Sequence, residues 1–309
     1  MITTIFKKSN PINYILIGLL IIGFYIIYIF NQKIVFFDSF FWIEKTLSLL
    51  AILGSLITAE YITQKNGLSK GGTYSICFGL MYFIFFPSVF NETRMLCANF
   101  LVLLAIRRLI LMQTLKFPKE KIFDASFWIF IATIFHFWSI WFLLLVYVAI
   151  VFHASRDYRH WLIPFIALFC VLILFALGSL IISKNLFYAF IQSTHFTFDI
   201  NYFASINDNI SFSIYLTTLL FFAVSLLLSL SKRPLVLGAT YKIVLFWLAI
   251  GLFIFAVSAP KNNSLLVFTF VPLSIICTAF LEFVPLQWQK DTAFVGVLVL
   301  SIVSYCIHI

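Results

Sequence analysis

Charge is what this sequence has least of. Only 10% of its 309 residues are Asp, Glu, Lys or Arg, while 63% are apolar. A water-soluble domain of this length carries roughly a quarter charged residues, because it must coat its core with a solvated shell. That shell cannot be made here, and lipid is the solvent that does not require it. No polar stretch is long enough to fold apart from the apolar runs, which repeat from Ile12 to the end. Residues 1–309 therefore read as a single integral membrane domain.

Other absences narrow the function. There are five cysteines, all inside apolar runs, with no CxxC and no Cys/His cluster. They indicate neither a zinc site nor a disulfide framework, and read as small buried hydrophobes. The sequence has no GxGxxG, no phosphate-binding GxxxxGK, no HExxH and no GxSxG with triad partners. No metal site and no cofactor is expected. No span carries several charges near its centre, as an ion-coupled pump would, and none is arginine-rich like a voltage sensor. The inverted repeats of many secondary transporters are missing too.

What is present is aliphatic and aromatic, with 40 Phe. That count fits a low-GC genome better than a stacking device. The net charge of +9 sits in short loops between apolar runs. It reads as a topology signal rather than a nucleic-acid surface.

A helix crosses the hydrocarbon with about 20 apolar residues, in a range of roughly 17–25. Strands cross only as closed barrels, whose alternating pattern is absent. The sequence predicts an all-α polytopic transmembrane bundle with spans at 13–30, 47–64, 73–90, 95–113, 161–183, 210–230, 243–259, 264–284 and 292–309. Asn10-Pro11 places a capping residue before proline at the first helical position. Lys7 and Lys8 precede the first run, and Asn31-Gln32-Lys33 after it offers no small-x-small cleavage site. It reads as an uncleaved span.

The stretch from Asp124 to His153 is long for one span and short for two. Cytoplasmic loops are enriched in Lys and Arg. If the stretch is a hairpin turning near His136-Phe137-Trp138 and the amino terminus is cytoplasmic, fifteen of the 20 Lys and Arg lie inside. Only Lys33, Lys45, Arg94, Lys184 and Lys261 lie outside. As one span the same residues divide eleven to nine, which is almost no bias. The hairpin reading gives about eleven membrane segments, two of them short arms of about 14 residues or 21 Å. The carboxyl terminus is then outside. The long outer loop from Ser183 to Asn209 mixes aromatic and polar residues as an interfacial helix would.

Ionisable groups at or near lipid depth are the informative ones, because burying charge there is costly. Asp38, in the aromatic first outer loop, is a candidate general base or an ordinary interfacial acid. Glu92 and Arg94 share the tight outer turn Asn91-Glu92-Thr93-Arg94. They either orient a polar head group, with Arg94 on a phosphate, or mark the membrane boundary. His136, flanked by Phe135 and Phe137 at the hairpin tip, is a proton carrier or a hydrogen-bonded interfacial residue. Lys261-Asn262-Asn263-Ser264 leads into the span that contains Pro272. Lys261 and Asn263 could clamp a phosphate or sugar hydroxyls there, or simply form a loop. On the inner side, Arg107, Arg108, Lys116, Lys119 and Lys121 orient the chain and touch anionic membrane lipids.

Three stretches carry a resemblance. Ala98-Asn99-Phe100 through Arg107-Arg108 and Lys121 through Trp128 form one, Met1 through Asn13 another, and Lys261 through Leu273 the third. They resemble a family of polytopic inner-membrane proteins of Bacteroidota that has no assigned activity. The likeness runs over nearly the whole chain and implies the bacterial inner membrane, without catalytic residues to carry over. A looser topological similarity is to the GT-C class of glycosyltransferases, which use polyprenyl-phosphate sugars. Those have many spans and an acid in the first outer loop, as Asp38 is. They also place a basic residue in an outer turn before a proline-containing span, as Lys261 and Pro272 do. Their paired acids and large extracytoplasmic domain have no counterpart here. The similarity implies a lipid-linked sugar transferase or polymerase in cell-envelope glycan assembly. The alternatives are a non-catalytic subunit scaffolding a membrane complex and, third, a transporter or flippase.

Overall fold

The computed structural model describes residues 3, 6–7, 9–32, 39–114, 116–154, 157–181, 190, 205–258 and 261–308. Among them are eleven α-helices: α1 (Pro11–Asn31), α2 (Ser39–Lys65), α3 (Tyr74–Phe85), α4 (Thr93–Ile110), α5 (Pro118–Phe135), α6 (Leu143–His153), α7 (Arg159–Ile181), α8 (Ile206–Ser229), α9 (Leu235–Val257), α10 (Val267–Phe283) and α11 (Gln287–His308). Eight helices are long and apolar enough to cross a membrane; α3, α5 and α6 are not among them.

Local chemistry sets the helix starts. Pro11 opens α1 as expected, while Asn10 before it makes no side-chain capping bond; proline there lacks only an N–H that would have no partner. Pro118 opens α5 in the same way. The residue before a proline is disfavoured in the right-handed helical region, and Phe117 takes φ 50°, the non-glycine residue with positive φ among those described. α5 begins six residues before Asp124, where the sequence suggested an arm starting. Lys119, Glu120 and Lys121 fit in its first turn, where long side chains reach the surface. α9 likewise starts eight residues before the expected 243 and carries Lys242 on an exposed face.

Interhelical bonds separate two ends. At one, Thr3 Oγ1 donates to Asp291 at 2.7 Å, Ser69 Oγ to Glu282 at 2.8 Å and Gln113 Nε2 to Asn66 at 3.1 Å. This end carries most of the Lys and Arg and is called the basic end below. At the far end Lys45 Nζ donates to Asn91 Oδ1 at 2.6 Å, Ser48 meets Thr93 at 2.6 Å, and Asn207 Nδ2 donates to the Ile307 carbonyl at 3.3 Å. The hairpin is real in the chain path. α5 leaves the basic end, the chain breaks at His136, and α6 returns to pack by Leu111–Thr114. Phe152, near the end of α6, shares a pocket with Leu230, Arg233 and Lys242.

Three 3-10 stretches, Pro87–Asn91, Phe137–Phe142 and Asn263–Leu266, adjoin α3, α6 and α10, all at the far end. With these extensions α3 and α6 each reach about 28 Å, close to the hydrocarbon thickness.

The centre is α3 and α10. Every residue of α3 is buried, and α10 packs against α3, α8 and α9. Their shared middle is filled by rings: Tyr82, Phe85, Phe86, Tyr215 and Phe270, with Tyr82 and Tyr215 edge to face at 5.7 Å. Hydroxyl bonds tie the same helices. Tyr215 Oη lies 2.7 Å from Thr269 Oγ1, and Tyr82 Oη 3.0 Å from Cys277 Sγ. In a membrane such bonds contribute about 0.6 kcal/mol each, and packing of small and polar residues supplies the rest. The five cysteines are free, but Cys306 is exposed and Cys170 half-buried, so the expectation of burial holds for Cys77, Cys97 and Cys277.

Candidate functional site

The far end gathers three of the five 3-10 stretches among the described residues; the other two, Leu111–Thr114 and Leu230–Lys232, lie at the basic end. Irregular backbone at membrane depth is tolerated where protein encloses it or a cavity adjoins it. The stretch Pro87–Asn91 contacts Asn263–Leu266, and the end of α9 contacts both Phe137–Phe142 and Asn263–Leu266. His136 stacks on Phe268 at 5.6 Å, one helical turn below Ser264, and Trp141 sits edge-on to Phe253 at 4.8 Å.

Around this junction lie buried polar atoms without a hydrogen-bond partner among the described residues. They are His136 Nε2, Ser139 Oγ, Trp141 Nε1, Ser258 Oγ, Asn263 Oδ1 and Ser264 Oγ. An unsatisfied buried donor or acceptor costs about 1–3 kcal/mol, so these six are atoms that a polar group could satisfy; the basic end has five of its own, Glu60 Oε2, Ser75 Oγ, Arg107 Nε, His153 Nε2 and Arg233 Nε. Asn263 Nδ2 is already bound, donating to the Asp208 carbonyl at 3.1 Å.

The sequence candidates divide. Glu92 directly follows the first 3-10 stretch, His136 precedes the second, and Lys261 and Asn263 flank the opening of the third. Four of the six therefore ride on the broken segments of one end. Arg94 is at that end and exposed. Lys261 Nζ donates to the Ala256 carbonyl at 2.7 Å, which folds it back over the end of α9. Asp38 lies outside the described residues. So does most of the 183–209 loop, although Phe190 places its ring 5.8 Å from Phe137 at the hairpin tip.

Three features escaped the sequence reading. Lys45 is 7% exposed and sits in the field of Glu44 and Glu92. Its place on an apolar helix gave no hint that Asn91 would receive it. The second is a staple joining α8, α11 and the Asn263 turn. His308 Nδ1 is 3.7 Å from Asp208 Oδ1, its Nε2 is 3.1 Å from Ser211 Oγ, and Ser304 Oγ is 3.0 Å from Ser211 Oγ. The order Asp-His-Ser is that of a charge relay. Ser211, however, is fully enclosed, and a nucleophile must reach substrate; here the three residues fasten helices together. The third is Glu60, near the opposite end and 6% exposed, whose Oε1 accepts from Tyr14 at 3.3 Å and Gln64 at 2.7 Å. It fixes α1 against α2, with Oε2 left unpartnered.

Three cavities, of about 580, 230 and 300 Å³, are lined by none of the five described candidates. No cluster of metal-ligating side chains occurs among the described residues. The class defined by this architecture is a multi-pass helical membrane protein with a polar, broken-helix end. No protein-family model, curated protein or solved structure matches the chain.

Proposed function

We propose that this protein lies in the bacterial inner membrane with its basic end in the cytoplasm and about eleven crossings. At the far, extracytoplasmic end it transfers a sugar from a polyprenyl-phosphate carrier during assembly of a cell-envelope glycan. The observation that carries the reading is the gathering of unpartnered buried polar atoms where three helices break, beside four of the six residues singled out by sequence. A sugar is dense in hydroxyls able to satisfy such atoms.

In this scheme Asp38 takes the proton of the acceptor hydroxyl. The acceptor oxygen bonds to the anomeric carbon, and the bond from that carbon to the carrier's phosphate oxygen breaks. The polyprenyl phosphate departs with the electron pair. Arg94 and Lys261 hold that phosphate and stabilise its growing charge. Lys261 must leave the Ala256 carbonyl to do so. Glu92, His136 and Asn263 bind sugar hydroxyls.

The test is donor turnover in membranes from cells lacking the native chain, supplied with either wild-type or variant protein. Asp38→Asn is expected to remove transfer by a factor of 10² or more, and Arg94→Gln to weaken donor binding, while both variants insert normally. Full transfer by Asp38→Asn would end the mechanism.

A second reading has its own support: Lys261 and Asn263 are engaged in internal bonds, as suits a non-catalytic subunit scaffolding an envelope complex. It predicts a stoichiometric protein partner on purification in mild detergent, where the transferase predicts a co-purifying polyprenyl lipid. A transporter or flippase gains nothing from the ring-filled centre of the bundle.

A further inference from the structure

At the opposite end from that site, a cavity of about 300 Å³ lies between the end of α6, the end of α8 and the start of α9. We propose that it binds the phosphate of an anionic lipid head group.

The lining divides by character. Phe152 and Leu230 supply apolar wall, and Ser231, Arg233 and Lys242 supply donors and positive charge, with no carboxylate among the described lining residues. Glu282, on the same end, is occupied by Ser69 Oγ at 2.8 Å and the Lys70 N–H at 2.9 Å. Arg233 is held in place rather than waving in solvent. Its guanidinium lies 4.3 Å from the Tyr241 ring and 5.5 Å from the Phe283 ring, and Nη2 donates to the Ala279 carbonyl at 3.1 Å. Its Nε is buried and has no hydrogen-bond partner among the described residues. A guanidinium fixed in this manner, half-buried and with a buried Nε left over, is set to receive an anion, and phosphate is the anion whose oxygens match its fork.

The backbone adds to the same field. Residues 235–237 open the 23-residue α9, and the N–H groups of a first helical turn point outward unpaired with positive partial charge. The first intrahelical bond there is from the Gly238 N–H to the Pro234 carbonyl at 2.8 Å. The cavity also sits level with the ends of spanning helices, where head groups lie, and Phe152 is 39% exposed beside it for an acyl chain to cover. Basic pockets between helices on the cytoplasmic side suit phospholipid head groups. That apolar flank favours a lipid over a soluble phosphate.

Gly238 supplies a clean probe. A Cβ built there meets nothing within 4 Å, so a side chain at this lining position starts in open space. Full-length protein in detergent would be titrated with phosphatidylglycerol or with phosphatidylcholine of the same acyl chains, and bound lipid counted by native mass spectrometry. The wild type is expected to prefer phosphatidylglycerol. Lys242→Gln and Arg233→Gln should each cut that preference about fivefold, and Gly238→Leu should remove it. Unchanged preference in Gly238→Leu and Lys242→Gln, both folded, would overturn the site. Displacement of the lipid by millimolar inorganic phosphate would overturn the lipid assignment, and its persistence would support it.

Discussion

α7 and α10 are both apolar enough to cross a membrane, and α7 has the higher mean hydropathy. Their fates in the fold are opposite. In the most apolar 18 residues of each span, 94% are buried in Asn263–Phe283, which is α10 with its 3-10 opening, and 22% in α7. The difference lies in the minority residues. α10 carries Thr269, Ser274, Cys277 and Thr278, all fully buried. Thr269 and Cys277 meet tyrosines of neighbouring helices, and Ser274 and Thr278 bond back to their own backbone. α7 turns Ile166, Phe169, Ile173 and Leu177 outward. Lipid tails are as apolar as leucine, so burial in a membrane follows small and polar residues that let helices meet closely. Between these two helices, burial follows the small and polar residues rather than the mean hydropathy.

The contrast can be broken by matched substitutions. The largest difference is expected for Leu273→Ala against Ile173→Ala. Leu273 is wholly enclosed and Ile173 is 59% exposed. The first should cost about 2–4 kcal/mol through its cavity, and the second under about 0.5 kcal/mol because lipid fills the space. Reversible unfolding in mixed micelles measures both, and equal losses would refute the assignment of faces. A smaller difference is expected between two glycines. A Cβ at Gly251 meets Thr269 Cγ2 at 2.8 Å and the Phe268 backbone at 3.3 Å, whereas one at Gly178 meets nothing within 4 Å. Gly251→Val should therefore cost about 1–3 kcal/mol by overpacking. Gly178→Ala should stabilise α7 by about 0.5–1 kcal/mol through helix propensity. The same unfolding assay reads the pair, and a destabilised Gly178→Ala would mean that α7 is packed against protein.

Much of the helix plan was readable from sequence because hydrocarbon leaves a backbone so few options. The hairpin turn at His136 and the side to which α6 returns follow from apolar length and placement of Lys and Arg, and the start of α1 follows from Pro11. What was not readable depends on contacts between distant residues. Pro87 is a local signal that ends the 73–90 run as a helix at Phe85, but it does not say that the chain would continue as a 3-10 turn. Nor does anything local say that α2 would run eight residues beyond its expected start at 47. For the site, charged turns and a lone histidine led to Glu92, Arg94, His136, Lys261 and Asn263. Ser258, Ser264 and Trp141 gave no signal, since serine and tryptophan are ordinary near membrane ends. Lys45 and the Asp208–His308 pair were hidden for another reason: their partners lie 46 and 100 residues away in sequence.

Sidedness joins these observations, because the hairpin fixes which end receives the broken helices. In a variant with all five native cysteines replaced, single cysteines would be introduced by Asn262→Cys and Tyr158→Cys. A membrane-impermeant thiol reagent would then be added to spheroplasts before and after permeabilisation. The position at 262 should label at once and that at 158 only after permeabilisation. The reverse pattern, 158 at once and 262 only after permeabilisation, is what a single span over 124–153 predicts, and it would contradict the hairpin and with it the account of the polar end as an extracytoplasmic site.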